Sequence, residues 1–328
     1  YVQDALINAV KSRKGFYSDS QGLPELRKAV SEANQRDGID CIPEDVVVTT
    51  GLSEATNMLL ASLVSPGDNI VMPSPVYPQY DSLTLFYDGQ IRLYDCIESE
   101  DWRPDVDDLR KQVDGRTRAI VLINPNNPTG ALYDASTLKE IINVAGEFEV
   151  PIISDEIYNQ ITFDKIHTPT ASLTKDVPVV TMNGLSKNYL SPGWRVGWIA
   201  FSNFPESGLR DAVLRLCRLR LCAPTPPQYA SLEAITHENP EKNKELEKLR
   251  KRRDLTFKRL NEIPDISCTK VQGAFYAFPS IHSTKWKTDK EFVLHLLRET
   301  GVLTVYGSGF SEKPGTKHFR IVFLADET

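Results

Sequence analysis

Apolar residues along the chain fall into two kinds of run that alternate. Short apolar runs at Val46–Thr50, Asn69–Met72, Ile91–Tyr94, Ala119–Ile123, Pro151–Ile153, Val177–Met182 and Val196–Phe201 predict strands. Between most of them lie segments with helical spacing, such as the one that starts at Pro24 and the one from Leu52 to Leu63. A missing N–H costs little in a first turn, so Pro24 suits a helix start. Continuous apolar strands alternating with helices imply an α/β fold, a mainly parallel twisted sheet covered on both faces. From Glu241 to Leu260 the pattern becomes a densely charged helix, read as a solvated face with ion pairs one turn apart. Beyond it, Ile266–Val271, Ala274–Phe278, Asp289–Glu299 and Phe319–Leu324 predict a smaller α+β region. The division expected is therefore a large domain over 1–240 and an interdomain helix with a small domain over 241–328.

Composition adds limits more than content. The chain has 328 residues, 41% hydrophobic and 25% charged, with a net charge of −6. That is ample for a globular core, and the negative balance argues against nucleic acid or an anionic membrane as partner. Five cysteines (Cys41, Cys96, Cys217, Cys222, Cys268) lack metal or redox spacing and read as buried thiols of a reducing cytoplasm. The histidines are equally scattered, so no metal is expected. No glycine-rich nucleotide fingerprint follows a strand. The segment Val2–Val10 already has helical spacing and Tyr1 precedes it, so the chain reads as beginning inside a fold.

Chemistry concentrates where strands end. Lys187 lies just past an apolar strand, at the edge where open α/β sheets bind ligands. Desolvation there would lower its pKa and let it attack a carbonyl carbon as a Schiff-base lysine. Arg195, eight residues on, offers a fixed fork for a phosphate. The pair describes a pyridoxal phosphate site, against the plainer reading of two solvated cations. Gly51, Leu52 and Ser53 follow a strand and open a helix, a ready anion site. Asp155 ends a fully apolar strand, where a carboxylate needs a cationic partner, either a pyridinium nitrogen or a structural arginine. Asn124 to Gly130 terminates another strand with Asn-Pro bonds, candidates for cis peptides. Tyr77 sits in a proline-bounded loop suited to covering a ring face.

In order along the chain, these motifs resemble class I aminotransferases, the fold type I pyridoxal phosphate enzymes. The resemblance is carried by Tyr17 with Gly22 to Arg27, Gly51 to Ser53, Tyr77-Pro78, Asn124 to Gly130, Asp155 to Tyr158, Asn183 to Lys187 with Gly193 to Arg195, and Phe319-Arg320. The stretches Asn124–Tyr133 and Leu173–Val179 look closest to archaeal alanine aminotransferases.

By that resemblance pyridoxal 5'-phosphate is the cofactor and Lys187 forms the Schiff base and moves the α-proton. Asp155 pairs with the pyridine nitrogen, Asn127 and Tyr158 with the ring hydroxyl, and Tyr77 stacks on the ring. Leu52, Ser53, Ser186, Arg195 and Tyr17 of a partner subunit hold the phosphate, which implies a homodimer. Arg320 clamps the substrate carboxylate, beside Asn127. The family often has serine three residues before the lysine; Gly184 stands there, with Ser186 expected to compensate. The expected reaction moves an amino group between a small neutral amino acid, alanine first, and 2-oxoglutarate. Aspartate or aromatic specificity, lyase or synthase chemistry, and a non-catalytic binding role are the alternatives. An N-terminal family segment that touches substrate has no counterpart in this sequence.

Overall fold

The computed structural model describes residues 1–205, 208–313 and 315–325. Its main feature is an eight-stranded sheet built from β1 (Val46–Thr49), β2 (Asn69–Ser74), β3 (Gln90–Ile97), β4 (Arg103–Pro104), β5 (Thr117–Ile123), β6 (Ile152–Asp155), β7 (Val179–Gly184) and β8 (Gly197–Ser202). The spatial order is β1-β8-β7-β6-β5-β2-β3-β4. Strands β2, β3, β5, β6 and β7 run parallel, while β8 is antiparallel to both its neighbours, β1 and β7. Each strand predicted from the sequence is present, with ends displaced by a few residues.

The sheet is held by apolar layers on both faces. Successive strand residues point to opposite faces, and the core follows that rule. Val46, Val48, Ile120, Leu122, Ile152 and Val179 join one apolar cluster, packed against Leu26, Leu109, Leu138 and Ile141. Val47, Val121, Ile153, Val180 and Met182 join the other, with Leu59, Leu60, Tyr80, Val213 and Cys217. The helices are α1 (Val2–Lys11), α2 (Pro24–Arg36), α3 (Leu52–Leu63), α4 (Pro78–Phe86), α5 (Val106–Gln112), α6 (Ala135–Glu147), α7 (Leu185–Asn188), α8 (Leu209–Arg220), α9 (Thr225–Thr236), α10 (Lys242–Asn261) and α11 (Asp289–Thr300). Truncating a fully buried strand residue such as Ile152 to alanine would cost about 2–5 kcal/mol. No helix among the described residues is long and apolar enough to cross a membrane.

The carboxy-terminal third is less regular than its apolar pattern predicts. β9 (Ile266–Ser267), β10 (Tyr276–Ala277), β11 (Ser280–Ile281) and β12 (Val305–Tyr306) have two residues each, and β13 (Phe319–Val322) has four. They form a three-stranded sheet, β10-β13-β12, and a β9–β11 pair. Much of the apolar character of 266–278 goes into packing against Ile157, Tyr158 and Phe163 of the loop after β6, and against α10. The thiols also differ from expectation. Cys41, Cys217 and Cys268 are buried, whereas Cys96 on β3, packed at the margin of the core, and Cys222 just past α8 are half-buried.

Candidate active site

The sheet topology delivers distant sequence positions to one edge. β5, β6 and β7 are adjacent and parallel, so Ile123, Asp155 and Met182 come level, and the residues that follow share a crevice. β1 ends on the same edge. β8 runs the other way, so it begins where the others end and carries Arg195, two residues before it, to that edge. The resulting cavity of about 310 Å³ is lined by Leu52, Ser53, Tyr77, Asn127, Asp155, Tyr158, Ser186, Lys187, Arg195 and Arg320. Ten of the twelve residues expected at the site from the sequence are these ten. Gly51 lies directly behind the wall, and Tyr17 stands apart at 79% exposed, away from the cavity.

Lys187 is the third residue of α7, immediately after β7. Its ammonium lies 5.9 Å from the Tyr158 ring centre and 5.8 Å from that of Phe275. No hydrogen bond or ion pair engages it among the described residues. Burial, then the Arg320 charge, hold its pKa below the usual lysine value, while Asp155 opposes them. A neutral amine at this place is a competent nucleophile.

Among the described residues, no arginine pairs with Asp155. Its Oδ2 accepts from the Tyr80 hydroxyl at 2.8 Å and its Oδ1 from the Ile157 N–H at 3.2 Å. Burial pushes its carboxyl up to about 6, against those two hydrogen bonds. A buried carboxylate with only neutral donors is short of a counter-charge. Tyr80 was not singled out from the sequence. It lies three residues after Tyr77, one turn into α4, and that spacing is the signal that could have found it.

Backbone N–H groups and a guanidinium converge across the cavity. Gly51 has φ +74°, and a Cβ built there would come within 2.5 Å of an Arg195 guanidinium nitrogen. Glycine thus allows the backbone to meet the guanidinium. The N–H groups of Leu52 and Ser53 open α3 with no partner among the described residues, and no side chain caps this end. Arg195 itself is left-handed (φ 55°) and donates to the Pro192 carbonyl at 2.8 Å. The glycine three before Lys187 has a local cause. At Gly184 a Cβ would lie 2.7 Å from the Val196 carbonyl, where β7 and β8 close on each other.

The far wall is built on β13. Arg320 lies between the rings of Tyr276 at 4.6 Å and Phe310 at 4.8 Å, and donates to Asn127 Oδ1 at 2.9 Å. Its Nε is buried and finds no hydrogen-bond partner among the described residues. Tyr158 and Tyr276 share a hydrogen bond at 2.9 Å. Tyr276 and Phe310 were also unmarked in the sequence, because aromatics in a short apolar run look like core. Asn124–Pro125 and Asn127–Pro128 are cis, as is Ser74–Pro75 in the Tyr77 loop.

Comparison with known proteins places the chain. A family model described as "Aminotransferase class I and II" matches residues 3–328. Alanine aminotransferase from Pyrococcus furiosus is 50% identical and superposes with a TM-score of 0.96, over 99% of this chain and 84% of that one. Glutamate-pyruvate aminotransferase AlaA of Escherichia coli K12 is 38% identical, over 94% of this chain and 78% of its own length. An aromatic aminotransferase from Pyrococcus horikoshii is 31% identical with a TM-score of 0.90, over 99% of this chain and 87% of that one.

Proposed function

The chain belongs to the class I and II aminotransferases, and on that premise we propose that it exchanges the amino group of L-alanine with 2-oxoglutarate, using pyridoxal 5'-phosphate. The observation that carries the reading is the charge set of one crevice: three cations, Lys187, Arg195 and Arg320, face a single buried carboxylate, Asp155. Such an excess suits a ligand with a phosphate and a substrate with a carboxylate. The unpartnered N–H groups at α3, the glycine cradle at Gly51 and the orphaned Arg320 Nε fit that pair of anions. The alanine preference rests on likeness, 50% to an alanine enzyme against 31% to an aromatic one.

When bound, the cofactor supplies an electron sink that accepts the pair left when the α-proton departs. The protein's own part is holding and moving. Leu52, Ser53, Ser186 and Arg195 would hold the phosphate, joined by Tyr17 of a second copy, and Asp155 would pair with the ring nitrogen. Tyr77 would cover a ring face, and Asn127 and Tyr158 would hydrogen-bond the ring hydroxyl. Lys187 would hold the cofactor covalently, and its Nζ, once free, would take the α-proton. A lowered lysine pKa favours that neutral state. Arg320 fixes the substrate carboxylate, so the α-carbon faces Lys187 without orientational search.

A homodimer is supported by the surface around Tyr17. Thr225 Oγ1 donates to the Phe16 carbonyl and Arg220 to the Ser20 carbonyl, which bring this loop to the end of α8. Phe16, Tyr17, Leu219 and Leu221 are all exposed there, an apolar surface that a second copy would cover. We read residues 1–240 and 241–328 as the two domains, and five free thiols support a reducing compartment such as the cytoplasm.

The test is a single half-reaction. Cofactor-loaded protein mixed with L-alanine or L-glutamate should lose its visible band and release one equivalent of 2-oxo acid. A band lost only with aspartate or an aromatic amino acid would overturn the substrate. Continuous release of 2-oxo acid and ammonia from L-serine or L-cysteine, which carry a β-leaving group, without a second oxo acid would make the enzyme a lyase.

A further inference from the structure

Two residues before Arg320 the chain buries a histidine between carboxylates from two parts of the fold. His318 is 3% exposed. Its Nδ1 lies 3.0 Å from Glu312 Oε2, and its Nε2 lies 2.9 Å from Ser280 Oγ and 3.3 Å from Glu98 Oε2. Glu98 follows β3 of the large sheet, so the contact ties that sheet to the segment that carries Arg320. Ser280 donates its hydroxyl to the other Glu98 oxygen.

The cluster is connected to Arg320 by a column of planar groups. The His318 ring stacks on Phe278 at 4.9 Å with 6° between planes, and Phe278 meets Phe310 edge-on at 5.9 Å. Phe310 in turn covers the Arg320 guanidinium at 4.8 Å. The backbone agrees. Gly307 donates to the His318 carbonyl at 2.8 Å, and Val76, beside Tyr77, donates to the Phe310 carbonyl at 2.7 Å. A Cβ at Gly307 would meet Glu312 Oε2 at 2.3 Å, so the turn is closed tightly over the cluster.

We propose that His318, gripped as a cation by Glu98 and Glu312, is a positioning residue that sets Phe310 and Arg320 in place to receive the substrate carboxylate. The proposal rests on the reading of Arg320 as the carboxylate clamp. Once neutral, the imidazole can donate to only one of the two carboxylates, which then repel. The segment 310–312 has few other ties there. Ser311 accepts from Ser74 through its carbonyl and donates to Asp81.

Burial alone would lower the imidazole's pKa, but the bonds to Glu312 and Glu98 overcome it and push it up to about 9. Burial likewise works to raise Glu98, and the hydrogen bonds from His318 and Ser280 hold its carboxyl below the usual value. The other charged groups nearby are Asp95 and Lys313, which pair with each other, and His282, whose charge acts on Glu98. Trp102 packs its ring edge against His318 at 5.3 Å and carries no charge.

The experiment uses cofactor-loaded enzyme and labelled propionate, a carboxylate with no amine to titrate. Its Kd is measured by equilibrium dialysis from pH 7 to 10 in the parent, His318→Gln, Glu98→Gln and Arg320→Ala. The parent should bind constantly to about pH 8 and weaken as pH rises through about 9. His318→Gln should bind about tenfold more weakly at pH 7.5 and lack that alkaline limb. With L-alanine it should raise KM by far more than it lowers kcat. Glu98→Gln should move the limb to lower pH, and it decides the case if His318→Gln does not fold. An unchanged propionate Kd in His318→Gln, or the parent limb retained in either variant, overturns the proposal. If Arg320→Ala binds propionate as the parent does, the clamp reading fails as well. If only Arg320→Ala weakens binding, the clamp stands and His318 is excluded.

Discussion

Two regions of the molecule bury charge, and they treat it in opposite ways. Around Arg253 on α10 each charge lies beside an opposite one, although Arg253 Nε, like Arg320 Nε, makes no hydrogen bond among the described residues. Its guanidinium pairs with Asp164 at 2.7 Å and Asp254 at 2.9 Å, donates to the Val271 carbonyl at 3.0 Å, and packs on the Phe163 ring at 4.7 Å. Arg250 and Lys270 add further pairs to Asp164. In the crevice at the strand ends, no ion pair among the described residues engages Lys187, Arg320 or Asp155, whose hydrogen-bond donors are neutral. A region built for stability closes its electrostatics within the chain. The crevice leaves them open, which suits a ligand that completes them.

The widest separation between the two should come from Lys187→Ala. It removes the amine and, on our reading, both the covalent attachment and the proton carrier. Activity should fall about 10⁴-fold and the visible cofactor band should vanish. The melting temperature without cofactor should hold or rise, because a half-buried cation with no ion pair among the described residues is gone. A variant that keeps the visible band would remove Lys187 from its role.

Arg253→Ala asks the converse. The variant loses the buried guanidinium's bond to the Val271 carbonyl and its packing on Phe163, while the part-exposed Asp164 and Asp254 keep Lys270, so stability should fall by about 1–3 kcal/mol, read from denaturant unfolding. The folded fraction should retain parent kcat/KM. If stability held while KM rose, the cluster would belong to the site, and the comparison would break.

Arg320→Ala is a smaller step on the open side. The KM for L-alanine should rise about a hundredfold through loss of a bidentate contact. The visible band should stay, since Lys187, Asp155 and Arg195 are unchanged. A parent-like KM would assign the carboxylate to another group.

How much of this was legible in the sequence follows from which signals are local. Strand ends are local. An apolar run, a glycine or proline break and one polar residue beyond it sufficed to mark Lys187, Asp155, Gly51 and Asn127. Which of them meet was not local, and strand order decided it. Arg195 reaches the crevice because β8 runs against its neighbours, which no spacing reveals. Arg320 was reached through resemblance alone, because its neighbours Phe310 and Tyr276 lie 10 and 44 positions away and read as core. Tyr80 went unnoticed because a tyrosine in the first turn of a helix has an ordinary packing explanation. The two-residue strands after α10 were over-read, because aromatic residues that pack on another loop give the same pattern as a longer strand.

Tyr80→Phe is the finest test of the comparison, because it removes one hydroxyl and almost no packing. That hydroxyl is the only side-chain donor to Asp155 among the described residues. Asp155 is an acid whose folded pKa is already raised to about 6 by burial, so it is ionised only above that pH. Cofactor affinity should fall as pH drops through this range, where the carboxylate becomes neutral and no longer pairs with a ring cation. Without the Tyr80 donor the neutral form gains further, and the midpoint should move up by about one unit, equivalent to about 1.4 kcal/mol. The cofactor phosphate titrates near the same pH in both proteins, so the difference between the two curves reports Asp155. The measurement is the dissociation constant of the cofactor from pH 5 to 8 in parent and variant. Coincident curves would show that Tyr80 merely fills space, and that the open side of the molecule is held open by burial alone.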